Sequence, residues 1–91
     1  MKFEWHATKA AANLRKHGVS FNEAATVFGD PLSHVFPDHD HSDDETRFLI
    51  IGMSELGRVL IVSHTDMEEQ TRIISAREAT RRERNFYEKS C

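Results

Sequence analysis

Apolar and polar positions along this chain change period several times, and each change predicts an element. Phe3 and Trp5 alternate with Lys2 and Glu4, which predicts a short edge strand. Ala7, Ala10, Ala11 and Leu14 then recur at helical spacing, and Gly18 stands where a helix end favours a left-handed residue. Lys16 and His17 fall in that last turn, where positive charge suits the helix dipole. The small alanines on the stripe imply close packing on something flat, a sheet. Ser20-Phe21-Asn22-Glu23 has the spacing of a capping box, with Val19 placed to staple the entry. It predicts a short helix containing Ala24, Ala25, Val27 and Phe28, stopped by Gly29-Asp30-Pro31.

The second half changes to strand-like runs. Leu32 to Phe36 alternates loosely as a strand and ends at Pro37. Arg47 to Met53 is apolar on both faces and reads as the central strand. Ser54-Glu55-Leu56-Gly57 is a hairpin turn, Arg58 to Thr65 pairs back, and Asp66 to Glu69 turns again. Gln70 to Ala76 forms the last strand, favoured by the branched side chains of Thr71, Ile73 and Ile74. Ser75, followed three residues later by Glu78, has capping-box spacing, so the closing helix is expected over Ala76 to Lys89, with Ala79, Phe86 and Tyr87 as its apolar contacts. The order is β-α-α-β-β-β-β-α. It predicts one α+β domain over residues 1–91, with two N-terminal helices and a C-terminal helix on a four- to five-stranded, mainly antiparallel sheet.

Composition adds limits. Ninety-one residues suffice for one core and no second. The only cysteine is Cys91, so no disulfide forms within the chain, as suits a reducing cytosol. Met1 to His6 lacks the apolar stretch of a signal peptide, and the longest apolar run, Phe48 to Met53, is too short for a bilayer. These features predict a cytoplasmic protein without a membrane partner. The net charge of −3 conceals an asymmetry: +3 over residues 1–18, −9 over 19–71 and +3 over 72–91. If the two basic ends meet, a positive patch lies beside an acidic one, suited to a polyanion and to a basic partner.

Candidate chemistry concentrates near the last strand. Arg72, Ser75 and Arg77 lead into Arg81-Arg82-Glu83-Arg84, and the amides of a helix's first turn attract anions. His64 ends the preceding strand, where a hairpin brings it within a few residues of Arg72. Strict alternation sets Arg72, Ile74 and Ala76 on one face, and Ile73, Ser75 and Arg77 on the other. A histidine beside arginines is an acid–base group beside phosphate-binding groups, the minimum for cutting RNA through its own 2′-hydroxyl. His17 with Lys16 offers an alternative pairing. The loop Asp38 to Glu45 carries His39 and His41, residue types that bind metals, but adjacent loop residues rarely supply the geometry, so it reads as solvated. No Gly-rich phosphate loop, nucleophile elbow or paired-cysteine signature is present.

Phe3-Glu4-Trp5 with Lys9, then Asn13-Leu14-Arg15-Lys16-His17-Gly18-Val19-Ser20-Phe21 with Glu23-Ala24, resembles the N-terminal signature of BrnT-family toxins. Arg72-Ile73-Ile74-Ser75-Ala76-Arg77, with Glu83-Arg84 and Tyr87-Glu88, resembles their C-terminal signature. The resemblance implies a RelE-like ribonuclease fold and a toxin of a type II toxin–antitoxin system that stops translation by cleaving RNA. It further implies inhibition by a BrnA-like antitoxin, whose ribbon-helix-helix domain carries the pair to promoter DNA. One departure is His6, where relatives commonly have aspartate to cap the first helix; Thr8 or water is then left to satisfy those amides.

The reading that results is a metal-independent endoribonuclease without a cofactor. His64, Arg72 and Arg77 are its catalytic candidates, and Lys16, His17, Ser75 and Arg81 would hold the substrate. The alternatives are a non-catalytic binding module of a repressor complex, and a metal-dependent hydrolase using His39 and His41.

Overall fold

The computed structural model describes residues 2–38 and 46–90. Its elements follow the expected order: β1 (Lys2–Glu4), α1 (Ala7–His17), α2 (Phe21–Thr26) running into a 3-10 turn (Val27–Gly29), β2 (His34–Pro37), β3 (Phe48–Met53), β4 (Val59–Asp66), β5 (Gln70–Glu78) and α3 (Arg81–Lys89). The five strands lie in the order β1-β5-β4-β3-β2. Strands β2 to β5 form an antiparallel meander, while β1 adds in parallel beside β5, so the sheet is mixed. The chain's two basic ends therefore meet.

Three expectations need correction. The central strand is β4, not the run Arg47 to Met53; β4 pairs on both sides and is buried at every position from Val59 to Thr65. β5 does not stop at Ala76 but pairs with β4 as far as Glu78. The helix accordingly starts at Arg81, and Ser75 caps nothing. Thr80 is the N-cap, its hydroxyl accepting from the Glu83 amide while the Glu83 carboxylate accepts from the Thr80 amide. Thr80 to Glu83 has the same spacing as Ser75 to Glu78, and because β5 stays paired as far as Glu78 only the later box stands at a helix start.

The sheet is covered unequally. On its first face, Val19, Phe21, Ala24 and Val27 pack against Ile50, Leu60, Val62, Ile73 and Ala76. On its second, Tyr87 of α3 packs against Ile51, Val59 and Ile61. The α3 helix is short, so it roofs only one end of that face.

α1 packs on the first-face core through Ala10 and is hydrogen-bonded to the sheet through Asn13. β1 flanks β5 only as far as Arg72, which leaves the later edge of β5 open. There the buried Asn13 amide donates to the Ala76 carbonyl at 2.8 Å, and its oxygen accepts from the Ala76 amide at 3.0 Å. An asparagine side chain carries the same donor and acceptor as a peptide group, so it completes the ladder where no strand does. It also donates to the Val19 carbonyl, which holds the turn after Gly18, the left-handed C-cap of α1 (φ 69°). At the other end of α1, His6 is the N-cap and makes no side-chain cap hydrogen bond.

Glu23 makes the second anchor. Ser20 caps its amide as expected, but the Glu23 carboxylate turns away from the cap. It accepts from Arg58 and from the Ser54 hydroxyl, which ties α2 to the β3–β4 hairpin. Hydrogen bonds from Arg58 are the main reason its carboxyl is held below the ordinary range, against the opposing effect of burial. The turn after α2 presses on the sheet at Gly52, where a Cβ would come within 2.9 Å of Val27 Cγ1 and 3.0 Å of Ser33 Cβ.

The Asn13 bonds predict a large effect from a small change. Asn13→Ala leaves the buried amide and carbonyl of Ala76 unmatched and should lower unfolding stability by about 2–4 kcal/mol in urea titrations. Asn13→Asp should be no better, because it sets a carboxylate against two carbonyl oxygens. A loss below about 0.5 kcal/mol for both variants, the range of ordinary surface changes, would show that α1 docks by other means.

Candidate functional site

The distribution of side chains between the two faces depends on one irregularity. From Leu60↔Glu78 to Ser63↔Ser75 the β4–β5 register is regular; then it shifts, and His64 pairs with Ile73, Thr65 with Arg72 and Asp66 with Thr71. Ile74 is the extra residue of a β-bulge on β5. With strict alternation Arg72 would point away from Ser75 and Arg77. The bulge resets the alternation, and all three share the second face.

That face reads as rows across the strands. His34, Ile51, Ile61 and Arg77 form one row. Phe36, Leu49, Ser63 and Ser75 form the next. Beyond α3 comes a polar row in which Thr65, Arg72 and Glu4 follow one another, with Arg47 next to Phe48 on the far side. Arg72 Nε donates to the Glu4 carboxylate at 2.9 Å, and Gln70 Nε2 donates to its other oxygen at 2.6 Å. Among the described residues the guanidinium is engaged at Nε alone, which leaves its terminal nitrogens for an anion. Both Arg72 and Glu4 are about one-third exposed, within reach of a ligand. Beneath them the Thr65 hydroxyl is buried with no hydrogen-bond partner among the described residues. An unmatched buried hydroxyl costs about 1–3 kcal/mol, so this row is not arranged for stability alone.

Arg77 is engaged differently. Its guanidinium forks onto Glu83, Nη1 to Oε1 at 2.8 Å and Nη2 to Oε2 at 3.0 Å. Glu83 is also the residue that closes the α3 capping box, so Arg77 fixes the start of α3 against β5. The Arg77 hydrogen bonds hold the Glu83 carboxyl at about 2, well under its ordinary value. Arg81 is exposed in the first turn of α3, and Ser75 is exposed on the open part of the second face.

The structure does not bring the other expected residues to this place. His64 lies on the first face, 2% exposed. Its ring is 4.8 Å from that of Phe28, edge-on, and 5.9 Å from that of Phe48. It shares a hairpin with Arg72 but the sheet stands between them; the pairing of His64 with an arginine is corrected to a histidine in the core. Burial lowers its pKa, against weaker opposing effects of the Val62 carbonyl and the Asp66 charge. Lys16 and His17 end α1, on the helical side of the sheet. His39 and His41 lie outside the described residues. Among the described residues no three His, Cys, Asp or Glu side chains are grouped to hold a metal, and no helix is long and apolar enough to cross a membrane.

Sequence reasoning overlooked Glu4 and Thr65. In the sequence Glu4 stands as the polar half of an edge strand and as part of the Phe3-Glu4-Trp5 motif, with no role of its own. The signal lay in the parallel pairing of β1 with β5, which places Glu4 opposite Arg72 and has no local signature.

Comparison with known proteins gives the family of the chain. Residues 5–83 match the sequence model of the family described as "Ribonuclease toxin, BrnT, of type II toxin-antitoxin system". Among solved structures, the 1.1 Å crystal structure of the Brucella abortus ribonuclease toxin, BrnT, is similar with a TM-score of 0.70 at 25% sequence identity. That likeness covers 89% of this chain and 99% of the other. No curated protein sequence matches.

The placement of His64 has a pH signature. A core imidazole binds its proton less readily folded than unfolded, so stability is full at neutral pH and falls as the pH drops below about 6.5. In an NMR titration the His64 ring should therefore titrate below that value. A midpoint at or above it would mean that the ring is solvated or faces a carboxylate, and would return it to the candidate catalysts.

Proposed function

This chain belongs to the BrnT family of ribonuclease toxins, and we propose that it is a metal-independent endoribonuclease whose active face is the bulged side of the sheet. The observation that carries this reading is the register shift at Ile74, which gathers Arg72, Ser75 and Arg77 on the face that α3 leaves partly open.

The chemistry needs a base for the 2′-hydroxyl, positive charge on the phosphate and a proton for the departing 5′-oxygen. Glu4 is the base. Hydrogen bonds from Arg72 and Gln70 orient its carboxylate, so it is positioned before substrate arrives. Arg72 keeps its terminal N–H groups for the non-bridging oxygens, where charge builds as the pentavalent phosphate forms. The Ser75 hydroxyl lies one row away and donates to the same phosphate or to its neighbour. Glu4 takes up the 2′-hydroxyl proton, and the 5′-oxygen leaves with a proton from water. The resulting hydroxide takes the proton back from Glu4 to restore its carboxylate, and the products are a 2′,3′-cyclic phosphate and a 5′-hydroxyl. Arg77 is a positioning residue, through Glu83 and α3. Arg81 offers a charge to the RNA backbone beyond the reacting phosphate.

The partner follows from the family and from charge. Type II toxins are held by a protein antitoxin, and here it is a BrnA-like protein with a ribbon-helix-helix domain. A basic segment of it suits the acidic middle of the chain, −9 over residues 19–71. Promoter DNA is contacted through that antitoxin only.

The test is purified chain with single-stranded RNA in EDTA. Wild type should cleave and leave cyclic-phosphate ends. Arg72→Ala and Glu4→Gln should each slow cleavage by about 10²- to 10³-fold while melting as wild type does. No cleavage by wild type overturns the enzymatic reading and leaves a non-catalytic binding module. Equal cleavage by Arg72→Ala overturns the site.

A further inference from the structure

Beside the polar row the second face holds a feature that phosphate chemistry does not use. His34 and Phe36 project from β2, and Phe86 reaches towards them from α3. Ring centroids are 6.4 Å apart for His34–Phe36, 5.6 Å for His34–Phe86 and 5.7 Å for Phe36–Phe86. Phe36 and Phe86 remain 41% and 45% exposed, although large apolar side chains gain most when covered. With a floor of Leu49 and Ile61 they enclose a cleft of about 440 Å³, within the usual size of a small-ligand site.

We propose that this cleft takes a nucleobase of the RNA, stacked on Phe36 and Phe86, and so sets the register in which the RNA strand crosses the reacting site. The proposal rests on the ribonuclease reading for its substrate class. Three observations favour an RNA base as the occupant. The cleft is walled by aromatic faces, which accept the π-face of any base. Arg82 stands on its rim, while Glu83 on the same wall is matched by Arg77, so the mouth favours a polyanion. Finally, the cleft opens on the same face as the proposed phosphate site: its lining residues Phe36 and Leu49 share a row with Ser63 and Ser75, and Arg72 belongs to the next. Successive rows on one face are about 7 Å apart along a strand and neighbouring strands about 4.8 Å apart. From Leu49 on β3 to Arg72 on β5 is therefore about 12 Å, and the base belongs to a nucleotide a short way along the RNA from the reacting phosphate. An apolar protein segment would gain from the same rings, but it would make no use of Arg82 or of the adjoining arginine row.

The experiment uses the full chain and an uncleavable probe, a fully 2′-O-methylated oligonucleotide containing 2-aminopurine, whose fluorescence falls on stacking. Wild type should quench it. Phe86→Ala and Phe36→Ala should each weaken binding by roughly tenfold, and Phe86→Trp should restore it. Phe86→Leu keeps apolar bulk without a ring, and serves if an alanine variant fails to fold; it should weaken binding like alanine. Quenching and affinity unchanged in Phe86→Leu overturn the proposal. Cleavage of ordinary RNA is measured alongside to separate the two readings. A wild type that cleaves, with KM and cut sites unchanged in Phe86→Leu, overturns the cleft and leaves the ribonuclease standing. A wild type that quenches but does not cleave supports the cleft and overturns the ribonuclease. Unchanged RNA binding with weakened capture of the cognate antitoxin assigns the cleft to a protein and overturns the proposal.

Discussion

One extra residue in a strand decides which chemistry this sheet presents. The core of the first face requires β5 to contribute both Ile73 and Ala76, an odd spacing that strict alternation forbids. The bulge at Ile74 resolves the conflict: Ile73 faces inward opposite His64, and Ala76 faces inward opposite Val62. The same step turns Arg72 outward to join Ser75 and Arg77. Core packing and the charged face are thus set by one register shift. Arg72 meets Glu4 through a separate constraint, the parallel register of β1 with β5, which sets the two directly opposite each other.

Much of the fold was legible in the sequence. Changes of period gave every element and their order, and Gly18 and the Ser20 cap marked their helix ends as expected. What was not legible depends on contacts between segments far apart. Ser75–Glu78 and Thr80–Glu83 spell the same cap, and only the pairing of Glu78 with Leu60 shows which one is used. Nothing near Asn13 says that its amide will complete the edge of β5, 63 residues away. The site suffered most, because alternation assigns faces by counting and a bulge changes the count. His64 was drawn to Arg72 by its proximity in the hairpin, but an apolar stripe of Leu60 and Val62 already marked its face as core.

Charge follows the same logic. A chain with a net charge of −3 looks ill-suited to RNA, yet its two basic ends converge on β5. Within the converged region the arginines are not alike. Arg77 is held on both prongs by Glu83 and anchors a helix, whereas Arg72 is held at Nε and keeps its outer edge open. An arginine oriented by one carboxylate is preorganised without being neutralised at the groups that would meet phosphate. Local geometry, more than net charge, separates a structural cation from a functional one.

The central claim is that RNA meets the bulged face and not the helical one. It is tested most directly by an NMR titration of the full chain with an uncleavable 2′-O-methyl RNA, following residues on both sides of the sheet. The account predicts that shifts concentrate at Glu4, Arg72, Ser75 and Phe86, with His64, Lys16 and His17 little changed. Shifts concentrated on α1 and around Lys16 and His17, with Arg72 and Ser75 unmoved, would contradict it.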